Sequence, residues 1–253
     1  MEPLLGQLLV PQYSLVLVLL SYVISFFGSV LALQCAQWMF RKNGTLDWGL
    51  TICAAVALGG IGIWSMHFIG MQAYRLSVPI AYDLVLTSIS LVAAIVISGV
   101  ALYLAGGGGK FKVSGWLAGS LLAGLGVSVM HYMGMYAMNL SAIMTLDPMI
   151  VVISVGIAII AAAAALWLAF NLTKLSHRIA AALVMGLAVC SMHYVGMSAA
   201  NMICTAAAPS ILLKISGNDL GIWVFCIASA VLLYIFWVVS GRVIDNAEMQ
   251  AST

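Results

Sequence analysis

Three histidines in this chain share one sequence context. The segments "GIGIWSMHFIGMQAYRL", "GLGVSVMHYMGMYAMNL" and "GLAVCSMHYVGMSAANM" begin at Gly60, Gly124 and Gly186 and align without gaps. Their histidines are His67, His131 and His193, 64 and 62 residues apart. Each is followed by the same xxGM, and the only other histidine, His177, lies in the polar break "TKLSH". An internal repeat of this length governs everything else that can be read from the chain.

A helix turns about 100° per residue, so each histidine at 0° has the glycine seven earlier near 20° and the methionine four later near 40°. The glycine three later falls near −60°, so glycine, histidine, glycine and methionine are expected on one face. Small residues above and below the imidazole are expected to let a neighbouring helix approach closely. On that face lie Met71, Met135 and Met197, while Met66, Met130 and Met192 precede the histidines on the flank. Met133 and Met138 have no counterparts and read as packing. Imidazole with thioether is a soft-to-borderline ligand set, and thioethers select Cu(I). Copper, cycling between Cu(I) and Cu(II), is the expected metal. Zinc sites usually recruit a thiolate or carboxylate as well, and none recurs inside the motif. Haem is the rival cofactor, since histidine and methionine are its axial ligands.

Other residues near the motif are candidates for a supporting or access role. Tyr132 and Tyr194 follow two of the histidines, where Phe68 follows the first. Asp83 and Asp147 lie sixteen residues after His67 and His131, and Asp219 opens the last apolar run after an insertion. These aspartates read as helix N-caps, Asp147-Pro148 especially, and as an acidic rim that would draw in cations. Cys190 falls near the face of His193, where the other copies have Trp64 and Ser128. Asn139 and Asn201, with Arg75 in the first copy, read as helix-end polar groups. The five cysteines form no CxxC and read as small buried hydrophobes.

The elements that must hold these residues are membrane spans. Of the 253 residues, 64% are hydrophobic and 6% charged. Soluble domains carry about 25% charged residues. A net charge of +2 without a basic cluster excludes nucleic acid as a partner. Seven stretches reach the length of about 20 apolar residues that a bilayer needs. They run approximately over 13–40, 46–73, 82–105, 114–140, 148–171, 178–203 and 220–242. The fold class is therefore all-α, one polytopic domain over residues 1–253 with a two-helix repeat. No separate soluble domain fits, and the N-terminus reads as a retained first helix, not a signal peptide. Arg41, Lys42, Lys110, Lys112, Lys174, Arg178 and Arg242 fall on one side of the membrane, Arg75 and Lys214 on the other. Positive residues stay in the cytoplasm, so the N-terminus is expected outside, the C-terminus inside and the motifs near the outer face.

Three copies of MH[YF]xGMxA in a seven-span chain resemble the MHYT integral membrane sensor domain. The matching residues are Met66, His67, Phe68, Gly70, Met71 and Ala73, then Met130, His131, Tyr132, Gly134, Met135 and Ala137. The last set is Met192, His193, Tyr194, Gly196, Met197 and Ala199. Phe68 departs from the family's tyrosine, and Ile69, Met133 and Val195 from its threonine. The resemblance implies a bacterial inner-membrane sensor, multi-pass in the lipid bilayer. It implies copper near the outer face and detection of O2, CO or NO. It also implies a cytoplasmic signalling partner, a cyclic-di-GMP enzyme or a kinase, since this chain carries no catalytic output domain and is not expected to be an enzyme. A homo-oligomer is left open, as is whether the chain is free-standing or an excised sensor. Two other readings remain beside the copper sensor: a membrane copper carrier or transporter, and a haem- or metal-containing membrane oxidoreductase.

Overall fold

The computed structural model describes residues 4–40, 44–107, 111–208 and 210–251, with side chains through Arg242. Arg41, Lys42 and Lys110 lie outside the described residues. Seven helices are long and apolar enough to cross a membrane. They are α1 (Leu15–Trp38), α2 (Trp48–Ala73), α3 (Leu84–Gly106), α4 (Val113–Tyr136), α5 (Pro148–Asn171), α6 (Leu175–Ser198) and α7 (Gly217–Arg242, continuing to Ala251). α3 ends on Gly107, whose φ of 53° is the left-handed conformation that glycine adopts without strain.

Helices α1 to α6 close into a ring in sequence order, with α6 packed back onto α1. α7 stands outside the ring against α1 and α2. That leaves α2 enclosed on all sides, with 78% of its apolar window buried against 17% for α5. Glycines make this possible. A Cβ on Gly28 of α1 would lie 2.5 Å from the Gly62 nitrogen, and one on Gly59 would strike the Ala94 carbonyl of α3. Between them, residues Val56–Ser65 wind as a π-helix, and the Gly62 carbonyl accepts from the Ser25 hydroxyl at 2.7 Å. π-Helical turns commonly adjoin functional sites, and this one ends at Met66-His67.

One end of the ring is closed by short strands that the all-α reading did not foresee. They are β1 (Leu8–Leu9), β2 (Gln12–Tyr13), β3 (Tyr74–Arg75), β4 (Ala81–Asp83), β5 (Met138–Asn139), β6 (Ala142–Leu146), β7 (Ala200–Cys204) and β8 (Lys214–Ser216). The strand after each even helix pairs with the strand before an odd one: β3 with β2, β5 with β4, β7 with β6. The register is the same three times, Tyr13↔Tyr74, Tyr82↔Met138 and Leu146↔Ala200. The next N–H along, of Ser14, Asp83 and Asp147, donates to the carbonyls of Ala73, Ala137 and Ala199 at 3.0, 2.8 and 2.9 Å. The repeated alanine of the motif is thus where each even helix is tied to the head of an odd one.

This corrects two sequence readings. Asn139, Asn201 and Arg75 sit in strands β5, β7 and β3, not on helix ends, because the chain turns into the cap at that point. The structural equivalent of Asp83 and Asp147 is Ser14, not Asp219. Asp219 lies inside the first turn of α7, where its carboxylate and N–H both bond the Ser216 hydroxyl, at 2.7 and 3.2 Å. Asp83 and Asp147 do cap. The Asp83 carboxylate accepts from the Val85 and Leu86 N–H groups at 2.7 and 3.0 Å, and that of Asp147 from Met149 and Ile150 at 2.8 and 3.2 Å. Asp147→Ala is expected to lose about 1 kcal/mol of stability. Thermal unfolding in detergent measures it, with Asp147→Asn retaining most of the difference.

Candidate metal centre

The ring brings the three repeats to one axis. α2, α4 and α6 present His67, His131 and His193 to each other just beneath the strand cap, each ring only 1% exposed. Their Nδ1 atoms form a near-equilateral triangle: 3.0 Å between His67 and His193, 3.1 Å between His131 and His67, and 3.3 Å between His193 and His131. The rings stand almost perpendicular, with interplanar angles of 76°, 86° and 89°. Among the described residues this is the one cluster of three or more His, Cys, Asp or Glu side chains with metal-ligand spacing.

The glycine three residues after each histidine fixes this arrangement. A Cβ on Gly134 would strike Nε2 of His67, and one on Gly196 would strike Nε2 of His131. A Cβ on Gly70 would lie 2.5 Å from Nε2 of His193. The three rings therefore lie cyclically, each in a notch on the next helix. The sequence reading had these glycines admitting a neighbouring helix; they admit a neighbouring histidine instead. The glycines seven residues before do meet helices. Gly60 faces Ile95 of α3, Gly124 faces Ile159 of α5 and Gly186 faces Phe26 of α1. A stripe that meets the axis at the histidine meets the next odd helix two turns away.

The triangle cannot satisfy itself with hydrogen bonds. A neutral imidazole nitrogen is either a donor or an acceptor, never both. Among three mutually touching Nδ1 atoms, at least one pair must therefore set lone pair against lone pair or N–H against N–H. The three Nε2 atoms are also buried and lack partners. With all three protons on Nε2, three lone pairs converge on one point. A cation there would resolve the conflict. Adjacent tetrahedral ligands at about 2.0 Å from a metal are about 3.3 Å apart, and the observed spacing fits that closely.

The remaining predicted residues take separate places. Met71, Met135 and Met197 are buried, as are Met66, Met130 and Met192. Met192 also lines an apolar cavity of about 50 Å³ with Met185, Val189, Ile63, Val127 and Ala162. Tyr132 and Tyr194 stand edge-on to their own histidines, as does Phe68. Their hydroxyls point away, to Ser154 at 2.6 Å and Ser21 at 2.9 Å. Cys190 is buried and is not among the clustered ligand atoms. The Asp83 and Asp147 carboxylates are engaged at their helix heads.

Three serines escaped the sequence reading. Ser21, Ser90 and Ser154 are fully buried, and each lies seven residues after a helix-capping position, Ser14, Asp83 or Asp147. Each donates to the carbonyl three residues earlier: Val18, Thr87 and Val151. Each hydroxyl oxygen is thereby free to accept from an even helix. Tyr194 and Tyr132 donate to Ser21 and Ser154, and Trp64 Nε1 donates to Ser90 at 2.9 Å where Phe68 lacks a hydroxyl. These contacts hold the histidine-bearing turns against the odd helices. Ser154→Ala strands the Tyr132 hydroxyl and is expected to cost about 1–3 kcal/mol. Tyr132→Phe, which copies Phe68, is expected to cost less; melting of both variants checks the order.

Fold and site together define a seven-helix integral membrane protein with three-fold internal repetition about a buried histidine triad. The chain belongs to the MHYT family, described as "Bacterial signalling protein N terminal repeat", whose pattern matches residues 60–118, 124–182 and 186–249. It is 41% identical over 198 residues to the bifunctional diguanylate cyclase/cyclic di-GMP phosphodiesterase MucR of Pseudomonas aeruginosa, covering 76% of this chain and 29% of that protein. It is 29% identical to the signaling protein YkoW of Bacillus subtilis, over 87% of this chain and 28% of that one. With the cyclic di-GMP phosphodiesterase NbdA of P. aeruginosa the identity is 34%, over 59% and 20%. The chain thus spans less than a third of the length of these relatives. No solved structure matches it. The family and the seven spans make this chain a membrane module of a signalling system.

Proposed function

We propose that this module is a copper-based sensor of a diatomic gas, O2, NO or CO, or of redox state. The observation that carries the proposal is the Nδ1 triangle, buried, held by three glycine notches and unable to complete its own hydrogen bonds. His67, His131 and His193 would hold the metal, with Met71, Met135 and Met197 the nearest thioether candidates by position in the repeat and Met66, Met130 and Met192 behind them. Copper bound there would supply a soft, redox-active centre with room in its coordination for a small ligand. The triad weighs against haem, because imidazoles 3.0–3.3 Å apart leave no slot for a macrocycle. The chain's own part is to keep three imidazoles neutral, exclude water and turn ring movement into helix movement.

The route outward is asymmetric. Only α2 among the histidine-bearing helices has α7 packed on it, around an apolar pocket lined by Gly60, Trp64, Leu220, Trp223 and Val224. A shift of His67 would bias α2 between two packings, and α7 would carry the change past the membrane. Lys112, Lys174, Arg178 and Arg242 lie at the end away from the strand cap, and Arg75 and Lys214 within it. That asymmetry supports a cytoplasmic C-terminus, an outward-facing triad and residence in a bacterial inner membrane. The relatives' names point to a cyclic di-GMP enzyme as the partner that α7 would address.

Metal analysis of the purified protein tests the reading. Copper at one ion per chain is expected, with nitrogen ligation in the metal-edge absorption spectrum. Background copper that does not change when all three histidines become alanine would overturn it. A strong Soret band would favour haem, and saturable copper flux into liposomes would favour a carrier.

A further inference from the structure

A cavity lies one helical turn from the triad, on the side away from the strand cap. Ile63, Val127 and Val189 stand four residues before His67, His131 and His193, and all three line it. In α4 and α6 four residues span about 6 Å, and a residue so placed falls within about 40° of the histidine's face. The three copies of the repeat therefore surround the histidines and this space about one axis. Met192, bonded to His193 along the chain, also lines it.

The space follows from how the repeat is broken. α2 is drawn against α1 and α3, where Gly62 meets Gly28 and Gly59 meets the Ala94 carbonyl. α5 stands across the six-helix ring from α2. It presents Ala158, Ala162 and Ala165, which spacings of four and three residues place on one face. These short side chains leave the gap between α5 and α2 unfilled, with Leu58 and Ile63 of α2 on its far wall. A void of this kind deprives its lining of dispersion contacts, which a fitting guest restores.

The cavity measures about 50 Å³, several times the space of about 10–15 Å³ that admits one water. Among its lining residues Ser98 alone is polar, and a buried water needs about two to four polar partners. Water is therefore excluded by chemistry, not by size. Charged and hydrogen-bonding solutes are excluded for the same reason. An apolar cavity of about 150 Å³ stays dry and takes up benzene or xenon, so this one has room for a much smaller guest. We infer that the cavity is a docking site for one small, uncharged, apolar molecule, xenon or a diatomic gas such as O2. No bond forms or breaks on docking. That the docked molecule serves the triad one turn away rests on the proposed function; the docking itself does not.

The test uses the metal-free full chain in detergent, with its methionine methyl groups labelled for magnetic resonance. Dissolved xenon is expected to shift the Met185 and Met192 methyl resonances saturably, since both side chains line the cavity. Met202, buried in β7 beside Leu9 and Leu140, should not move. O2, which is paramagnetic, should broaden the Met185 and Met192 resonances and compete with xenon. Ala162→Leu adds three carbons inside the cavity and should abolish both effects. Ala164→Leu, on the exposed side of α5, should leave them intact. The unaltered chain gives a readout that needs no variant to fold: neither methyl should show cross-relaxation with water. Xenon that affects Met185 and Met192 no more than Met202, or water found at those methyls, overturns the inference. So does an effect that survives in a folded Ala162→Leu chain. Docking in a chain that takes up no copper would overturn only the proposed function, and copper uptake without docking only this inference.

Discussion

Gly134→Ala is expected to destroy the triad although it replaces none of the three histidines. The added Cβ would strike Nε2 of His67, whose ring is buried against α4. Either His67 leaves the axis or α4 moves away from it. Overpacking of this kind costs about 1–3 kcal/mol. The loss of metal binding should be larger, because a ligand displaced by even 1 Å no longer closes the triangle. Gly70→Ala and Gly196→Ala should behave alike, since His193 and His131 occupy the equivalent notches. Gly156→Ala is the control: that position has open space, so melting temperature and metal content should stay near those of the unaltered protein. Copper content and thermal midpoint, measured across the four variants, check the pattern. Equal effects at Gly134 and Gly156 would show that the notch does not hold the ring.

His131→Ala separates the metal from the fold. In the metal-free protein the variant removes one member of a triangle that cannot be fully hydrogen-bonded, and that relief offsets part of the cavity it leaves. Metal-free stability should therefore change little for so buried a side chain. The response to copper should change greatly. A ligand present at 100 times its dissociation constant stabilises the folded state by about 2.7 kcal/mol. The unaltered protein should show that rise in thermal midpoint on adding Cu(I), and His131→Ala should show none. An affinity loss greater than about 100-fold is expected, since disturbing even a ligand's supporting partners costs 10–100-fold. Met135→Leu, which keeps the volume and removes the thioether, tests the methionine separately. A smaller copper shift would make Met135 a ligand, and an unchanged one would leave it as core.

The repeat itself was fully legible in the sequence. Hydropathy set the seven spans, because a bilayer demands about 20 apolar residues in a row and rewards nothing else. The shared phase of His67, His131 and His193 followed from helix geometry. Capping by Asp83 and Asp147 followed from their place before an apolar run. These are local properties, carried by neighbouring residues along one helix.

What the sequence left open depended on how helices meet. The xxGM glycines were visible, but that Gly70, Gly134 and Gly196 each receive the next histidine required the closed ring. The serines Ser21, Ser90 and Ser154 gave no local signal, because an isolated serine in a span is common and its partner lies on another helix. The strand cap was missed since strands of two to five residues are too short to give a periodicity that stands out beside the spans. The sequence by itself determined that three equivalent imidazoles lie at one depth in a membrane. Only the tertiary structure decided that they converge with Nδ1 inward at 3.0–3.3 Å. The physical reason is that ring orientation is set by what the far side of each ring rests on, and that surface belongs to another helix.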